Sequence, residues 1–316
     1  MIRNARIFKA ALPRHHVTMA EELGKLRHDP LSPGQVKTQG FTTHPANGEL
    51  VVPFPGGYAF MLRTDERIIP PAVVSAELDA VEKARGHKLL RAERSEVREQ
   101  IIFELAKTAL YRTRYTPAYF LAEAGYLIVD SAAKKPAQEL VGRLVQAMES
   151  LETQTIHVSD VARGLTTKLQ RELTRDDWQD EDDVLGEIDD NPFGRFELCD
   201  AVKLKRPGGS ETVTYAGVDL DSQSAEIADQ LRRGFRAIEL RLSLEETEFK
   251  LCDDFSLRAF SFPEVLLSPA DDAAAEEDPM VRWLADVQLE TAAIRQIVDT
   301  LVELLRYEEP GGEEAA

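Results

Sequence analysis

The strongest constraint on this chain's fold is a set of short β-prone runs joined by turns too tight to hold a crossover. Pro55-Gly56-Gly57 interrupts ELVVPFPGGYAFMLRTDERIIPP, and Glu123-Ala124-Gly125 joins the two apolar halves of TPAYFLAEAGYLIVDSA. The stretch FRAIELRLSLEETEFKLCDDFSLRAFSFP is broken at EET and at CDD. A parallel connection needs a dozen or more residues, so each of these joins predicts an antiparallel hairpin. Helical segments fall between the hairpins at irregular intervals, without a repeating βαβ rhythm. The fold class expected is therefore α+β, with antiparallel sheets and packed helices.

In chain order, residues 4–11 predict a strand, and Thr18 with Glu21 predicts a capping box for a short helix ending near Arg27. Residues 31–56, rich in Pro and Gly, are read as irregular, and Pro70-Pro71 should open a helix at about Ala72. KKPAQELVGRLVQAMESL predicts an amphipathic helix with Pro136 near its first turn. A second unit begins at about Gln154, with a short strand QTIHV and a helix capped by Ser159. Strands are expected at 195–205 and 211–219, and helices at 222–233 and 280–307. The acidic stretches 172–190 and 268–279 and the Gly/Glu-rich tail after Glu308 read as solvated linkers and a disordered end. The expected division is 1–152, 153–267 and 268–316.

A chain of 316 residues can bury roughly 75% of its unfolded surface without staples. Cys199 and Cys252 are distant and lack a CxxC partner, which argues for reduced thiols in a cytoplasm. The N-terminus lacks the apolar core of a signal peptide, and no apolar run reaches the roughly 20 residues of a membrane span. GxxxxGK[ST], GxGxxG, GxSxG and HExxH are missing, and the six histidines show no metal-ligand spacing.

Against a formal net charge of -18, the window Lys83 to Arg114 gathers nine Lys/Arg and only four Glu. Its cations are Lys83, Arg85, Lys88, Arg91, Arg94, Arg98, Lys107, Arg112 and Arg114. Val97, Ile101 and Leu105 recur every four residues, while Arg91, Arg94 and Arg98 fall on another helical face as a ridge. Pairs such as Asp79 with Lys83 and Glu104 with Lys107 would support a merely solvated helix. The ridge arginines, however, have no acidic residue three or four positions away on either side. A few well-placed Arg and Lys can dominate affinity for nucleic acid, because each neutralised phosphate releases counterions.

A different class of function is a Mg²⁺-dependent nuclease built on Asp219, Asp221, Glu248 and Lys250. Clustered carboxylates would hold the metal and the lysine would position water, but strand alternation predicts Glu248 and Lys250 on one solvated face. A third reading is a protein-interaction scaffold that binds no DNA.

The stretch ERSEVREQIIFELAKTALYRTRYTPAYFLAEAGYLIVDSAAKKPAQELVGRLVQAM resembles the recombination-associated RdgC family, in which a basic helical segment precedes a hairpin and an amphipathic helix. FKAALP, RIIPPAVVSAELDAVEKA, FELCDAVKLK and AIELRLSLEETEFKLCDDFSLRAFSF match in the same order. The resemblance implies an elongated, curved subunit that forms a ring-shaped homodimer around double-stranded DNA. It implies little sequence preference, modulation of RecA-dependent recombination with RecA as a partner, a nucleoid-associated cytoplasmic setting and no small cofactor. Carried over by position, Lys83, Arg85, Lys88, Arg91, Arg94, Arg98, Arg112, Arg114, Lys134 and Lys135 would face DNA, and Leu110 with Tyr111 would meet the second subunit. No catalytic or metal residue is implied. The basic patch that the family often carries before a DL pair is replaced here by Tyr215-Ala216-Gly217-Val218 ahead of Asp219-Leu220, so the expectation is either a weaker DNA affinity or one carried instead by Lys203, Lys205 and Arg206.

Overall fold

The computed structural model describes residues 1–45, 47–148, 153–155, 161–173, 191–217, 220–263 and 279–305. The elements are β1 (Asn4–Ala10), α1 (His16–Gly24), β2 (Lys37–Thr42), β3 (Val51–Phe54), β4 (Gly57–Arg67), α2 (Pro71–Arg85), α3 (Arg91–Thr108), β5 (Tyr111–Leu121), β6 (Tyr126–Val129) and α4 (Lys134–Met148). They continue with β7 (Thr153–Thr155), α5 (Val161–Leu173), β8 (Glu197–Lys205), β9 (Thr212–Ala216), α6 (Leu220–Arg232), β10 (Arg236–Leu244), β11 (Thr247–Cys252), β12 (Leu257–Ser261) and α7 (Pro279–Leu305). The architecture is α+β, with one large sheet in the order β2-β4-β5-β6-β1-β12-β11-β10-β8-β9, β3 added to β4 and β7 added to β1. Every pairing between strands is antiparallel.

β1 joins the two halves. One edge pairs Arg6 to Lys9 with β6, while the other pairs Asn4 and Ala5 with β12 and then Phe8 to Ala10 with β7. The halves carry their cores on different faces. Tyr58, Phe60 and Leu62 of β4 pack with Met19 and Leu23 of α1 and Leu140 and Leu144 of α4. On the opposite face, Ala5 and Ile7 of β1 join Leu240, Leu242, Phe249 and Leu251 under Leu165 and Leu169 of α5, Ile227 of α6 and Ile294, Val298 and Leu301 of α7. In that second core one carboxylate is buried: Glu290 of α7 accepts the Ile2 N–H at 2.6 Å.

The turns explain the hairpins. Gly57 is required where β3 turns into β4, because a Cβ there would lie 1.9 Å from the Phe120 carbonyl oxygen of the neighbouring strand. Between β10 and β11, Glu245 and Glu246 both adopt positive φ, 48° and 65°, making the two-residue left-handed turn that suits the twist of a hairpin.

Several expectations are corrected. α1 begins at His16 with His15 as its N-cap and no side-chain cap, so Thr18 lies inside the first turn and cannot head a capping box with Glu21. The stretch 31–56 is not wholly irregular: besides β3, which the Pro-Gly-Gly hairpin anticipated, it holds β2, and both pair with β4. β5 begins at Tyr111, because α3 stops at Thr108 and Ala109 turns extended at φ -62°, ψ 141°. Arg112 and Arg114 are therefore strand residues, not helical ones. Ser159, most of the acidic stretch 172–190, residues 268–278, Asp219 and the tail after Glu308 lie outside the described residues. No helix among the described residues is long and apolar enough to cross a membrane.

Candidate nucleic-acid interface

The basic window folds as a helical hairpin, α2 and α3, followed directly by β5. Pro71 opens α2 at a position where its missing N–H costs nothing. Gly86 closes α2 in the left-handed region at φ 73°, donating to the Glu82 and Lys83 carbonyls. Lys83 and Arg85 occupy the last turn, where cations oppose the negative end of the helix dipole. Val74 and Leu78 of α2 pack on Leu89 and Val97, with Ile101, Ile102 and Leu105 half-buried beside them. The apolar spacing read from the sequence thus builds a small satellite core of its own.

Arg91, Arg94 and Arg98 line one side of a groove of about 600 Å³ between the two helices. Its floor is Pro71, Val74, Leu78 and Leu89, and Ser75 and Ser95 add hydroxyls. The three arginines are exposed but not equivalent. Arg94 Nη1 lies 3.2 Å from Glu82 Oε1 across the hairpin, and the same oxygen accepts the Leu89 N–H. The absence of acids within one turn therefore did not make Arg94 unpaired, since its partner comes from the preceding helix. Arg85 pairs with Glu93, and Lys107 with Glu104 at 2.7 Å. Lys83, Lys88, Arg91, Arg98, Lys134 and Lys135 are exposed and form no ion pair among the described residues, so the proposed Asp79–Lys83 support is not made.

Strand geometry splits the remaining cations. Arg112 projects beside Glu66 at 3.7 Å and is mostly exposed. Arg114 is committed elsewhere: its Nη2 donates at 2.7 Å to Glu139 of α4, whose carboxylate also receives Lys37 and Gln39. Burial opposes ionisation of Glu139, but the Lys37 hydrogen bond and the Lys37 and Arg114 charges outweigh it and hold its carboxyl below the usual range. Arg114 is thus a tie between α4 and the sheet. Lys203 is half-buried and Lys205 exposed on β8, while Arg206 pairs with Glu211 at 3.2 Å and lies over Phe235.

Leu110 connects α3 to β5 and is 80% exposed. Its carbonyl accepts the Ile68 N–H, extending the ladder in which Arg67 faces Tyr111. Alternation then sends Leu110 and Tyr111 to opposite faces of the sheet. Ile68, hydrogen-bonded to Leu110, is also exposed at this end of the hairpin, while Leu90 is exposed at the opposite end of α3.

A cluster that the sequence reading missed lies on the Tyr111 face. In register, Arg63 pairs with Tyr115, Asp65 with Thr113 and Arg67 with Tyr111. Asp65 is buried, receives Arg63 through Nε at 3.0 Å and Nη2 at 2.8 Å, and accepts from the Thr113 hydroxyl at 2.7 Å. Burial raises its pKa, yet the Arg63 and Thr113 hydrogen bonds prevail and hold the carboxyl below its ordinary value. His28 Nε2 lies 3.1 Å from Asp65 without hydrogen-bond alignment, and burial keeps the ring's pKa below its ordinary value. The sequence signal was the alternation in YRTRY, which a helical reading of that stretch concealed.

Glu248 and Lys250 do share the outward face of β11, as alternation predicts. Glu248 is paired with Arg241, and Lys250 with Glu239 at 3.1 Å, all cross-strand to β10. The side chains of Asp219 and Asp221 lie outside the described residues. Among the described residues, no three His, Cys, Asp or Glu are grouped so as to hold a metal ion.

Comparison with known proteins places this architecture among relatives. Residues 1–308 match the family model described as "RdgC: Putative exonuclease, RdgC". A "Recombination-associated protein RdgC" of Halorhodospira halophila is 27% identical over 304 residues, covering 94% of this chain and 93% of the relative. Proteins of the same description from Cupriavidus pinatubonensis and Pseudoalteromonas atlantica are each 26% identical, covering 89% and 92% of this chain and 88% and 91% of their own lengths.

Proposed function

Because the chain belongs to the RdgC family of recombination-associated proteins, we propose that it binds double-stranded DNA without sequence preference and thereby modulates RecA-dependent recombination. The observation that carries this reading is the set of exposed cations on one helical hairpin, Lys83, Lys88, Arg91 and Arg98, that form no ion pair among the described residues, in a chain of net charge -18. In a chain of such negative charge, clustered cations decide where DNA docks and how steeply binding depends on salt. Such contacts position the protein on phosphates without reading bases. Lys134 and Lys135 at the start of α4 are further exposed cations proposed to meet DNA, whereas Arg114 and Arg94 serve partly as internal ties.

The homodimer belongs to the same proposal. Leu110 is a large aliphatic side chain left almost fully in water, with Ile68 exposed beside it, and an apolar patch of this kind is stabilised by a second copy. The contact is assigned to Leu110, while Tyr111 faces the other way. Two such subunits closing a ring around DNA are the arrangement proposed. The test is a titration of fluorescent duplexes of unrelated sequence against salt, with the mass of the free protein measured alongside. Equal, steeply salt-dependent affinities and twice the chain mass are expected, and sequence-selective or salt-insensitive binding would overturn the proposal.

The role proposed is non-catalytic, since Glu248 and Lys250 are both engaged by β10. Incubation with end-labelled DNA and Mg²⁺ should leave the label at full length. Shortening that is lost in Glu248→Ala would establish the nuclease instead.

A further inference from the structure

We propose that Tyr111 and Tyr115 form a stacking platform for unpaired nucleotides on the open face of β4 and β5. The inference rests on the DNA-binding reading above and adds a second kind of contact to it. Both rings project from the same face of β5 and are about half exposed, 51% and 53%. Each is partnered by an arginine of the adjacent strand: the Arg63 guanidinium lies 6.0 Å from the Tyr115 ring centre and that of Arg67 5.7 Å from Tyr111.

The cations are held in place by bonds of their own. Arg63 is clamped by two hydrogen bonds to the buried Asp65, and Arg67 donates to the Ala109 carbonyl at 2.5 Å. The strip is therefore ordered before any ligand arrives, which removes much of the entropic cost of binding. Asp65 balances the charge of Arg63, so Arg67, which has no ion pair among the described residues, supplies the fixed positive charge beside the planar π-surface, and the matching ligand has a flat face and an anionic backbone, as a nucleotide does. In a duplex both faces of each base are already stacked, so an unpaired base is the form that fits. The two tyrosines stand about 13 Å apart along the strand, so they take bases that are not neighbours in the bound segment. The platform sits immediately after the hairpin proposed to hold the duplex, which suits it to the single-stranded arm of a junction.

The test uses the full chain, with three fluorescent probes: a short oligothymidylate, a backbone of the same length made of abasic sites, and a duplex. Wild-type protein should bind oligothymidylate more tightly than the abasic strand. Tyr111→Ala with Tyr115→Ala should lose about 5- to 150-fold in oligothymidylate affinity for each base stacked, treat both single strands alike and keep its duplex affinity. The Tyr→Phe pair should behave as wild type, because the ring and not the hydroxyl is used. The platform is refuted if the alanine pair keeps its oligothymidylate affinity, or if the phenylalanine pair loses as much as the alanine pair. It is likewise refuted if the alanine pair halves the mass of the free protein, since a second copy would then be the occupant. Wild type that binds duplex but does not distinguish bases from abasic sites defeats only this inference, whereas wild type that binds no probe defeats the DNA-binding reading itself.

Discussion

Replacing Arg91, Arg94 and Arg98 with alanine tests the proposed interface most sharply, because the structure makes the three arginines unequal. Arg91 and Arg98 have no ion pair among the described residues, so each can neutralise a phosphate in full, whereas Arg94 already answers Glu82 at 3.2 Å. Each phosphate contact contributes about 0.9 to the slope of log affinity against log salt, so removing all three should flatten it by about 2 rather than about 3. Over a fourfold rise in salt, from about 50 to 200 mM, the wild type should then lose about 12-fold more affinity than the triple variant. Fluorescence anisotropy with two unrelated duplexes measures this, and both should respond alike because phosphate contacts carry no sequence information. Taken singly, Arg91→Ala and Arg98→Ala should each flatten the slope by about 1, and Arg94→Ala by clearly less. Arg94→Ala should cost no more than about 1 kcal/mol of stability, since its pair with Glu82 is half exposed on the arginine side. An unchanged slope in the triple variant would refute the interface, and an Arg94→Ala effect as large as that of Arg91→Ala would refute the pairing argument.

Leu110→Glu should convert the free protein to the mass of a single chain by light scattering while leaving its far-ultraviolet circular dichroism intact. A retained dimer would remove Leu110 from the contact. Asp65→Asn should destabilise the fold at neutral pH by about 1 to 3 kcal/mol in urea titration, because it leaves the Arg63 fork short of its buried acceptor. The Asp65 pKa is depressed in the folded chain, so its stabilisation is present above the unfolded value and is lost as pH falls through the folded one. The difference between wild type and variant should accordingly shrink in acid. Glu290 is the opposite case, since burial pushes its carboxyl above the ordinary 4.5. Its favourable contribution is complete below that value and is lost as pH rises through the folded pKa. Glu290→Gln, which can still accept from Ile2, should gain in melting temperature relative to wild type between about pH 4.5 and neutrality, and a gain that shrinks over that range would contradict the burial argument.

The hairpins were legible because their turns are local. Pro55-Gly56-Gly57 and Glu123-Ala124-Gly125 state a reversal within a few residues, and the apolar spacing of α3 states which side is buried. The end of α3 was not legible, since no Gly or Pro marks Ala109, and the strand that follows is specified by its pairing with β4. β2 was hidden for a similar reason. KTQGFT has little strand signature of its own and becomes a strand by pairing along β4. The arginine ridge was visible as a pattern, but the Glu82 partner of Arg94 lies across a turn that fixes no distance in sequence. Likewise, nothing along α7 states that Glu290 is buried, because its partner is a backbone N–H at the other end of the chain.

That same distance governs assembly of the fold. β1 leaves the ribosome ahead of every strand it pairs with, yet one of its edges is completed only when Leu257 and Arg258 arrive to pair with Ala5 and Asn4. Ladders between such remote segments form late and slowly, because a long loop must close before the contact rewards it. During synthesis the nascent chain can finish β3–β4 and β5–β6 from local partners, but Ile2 and Ala5 must wait for strands and helices not yet made. A nascent-chain arrest series read by pulse proteolysis should show protection of the β4–β5 region well before that of β1, and chains ending ahead of β12 should be the ones that recruit chaperones.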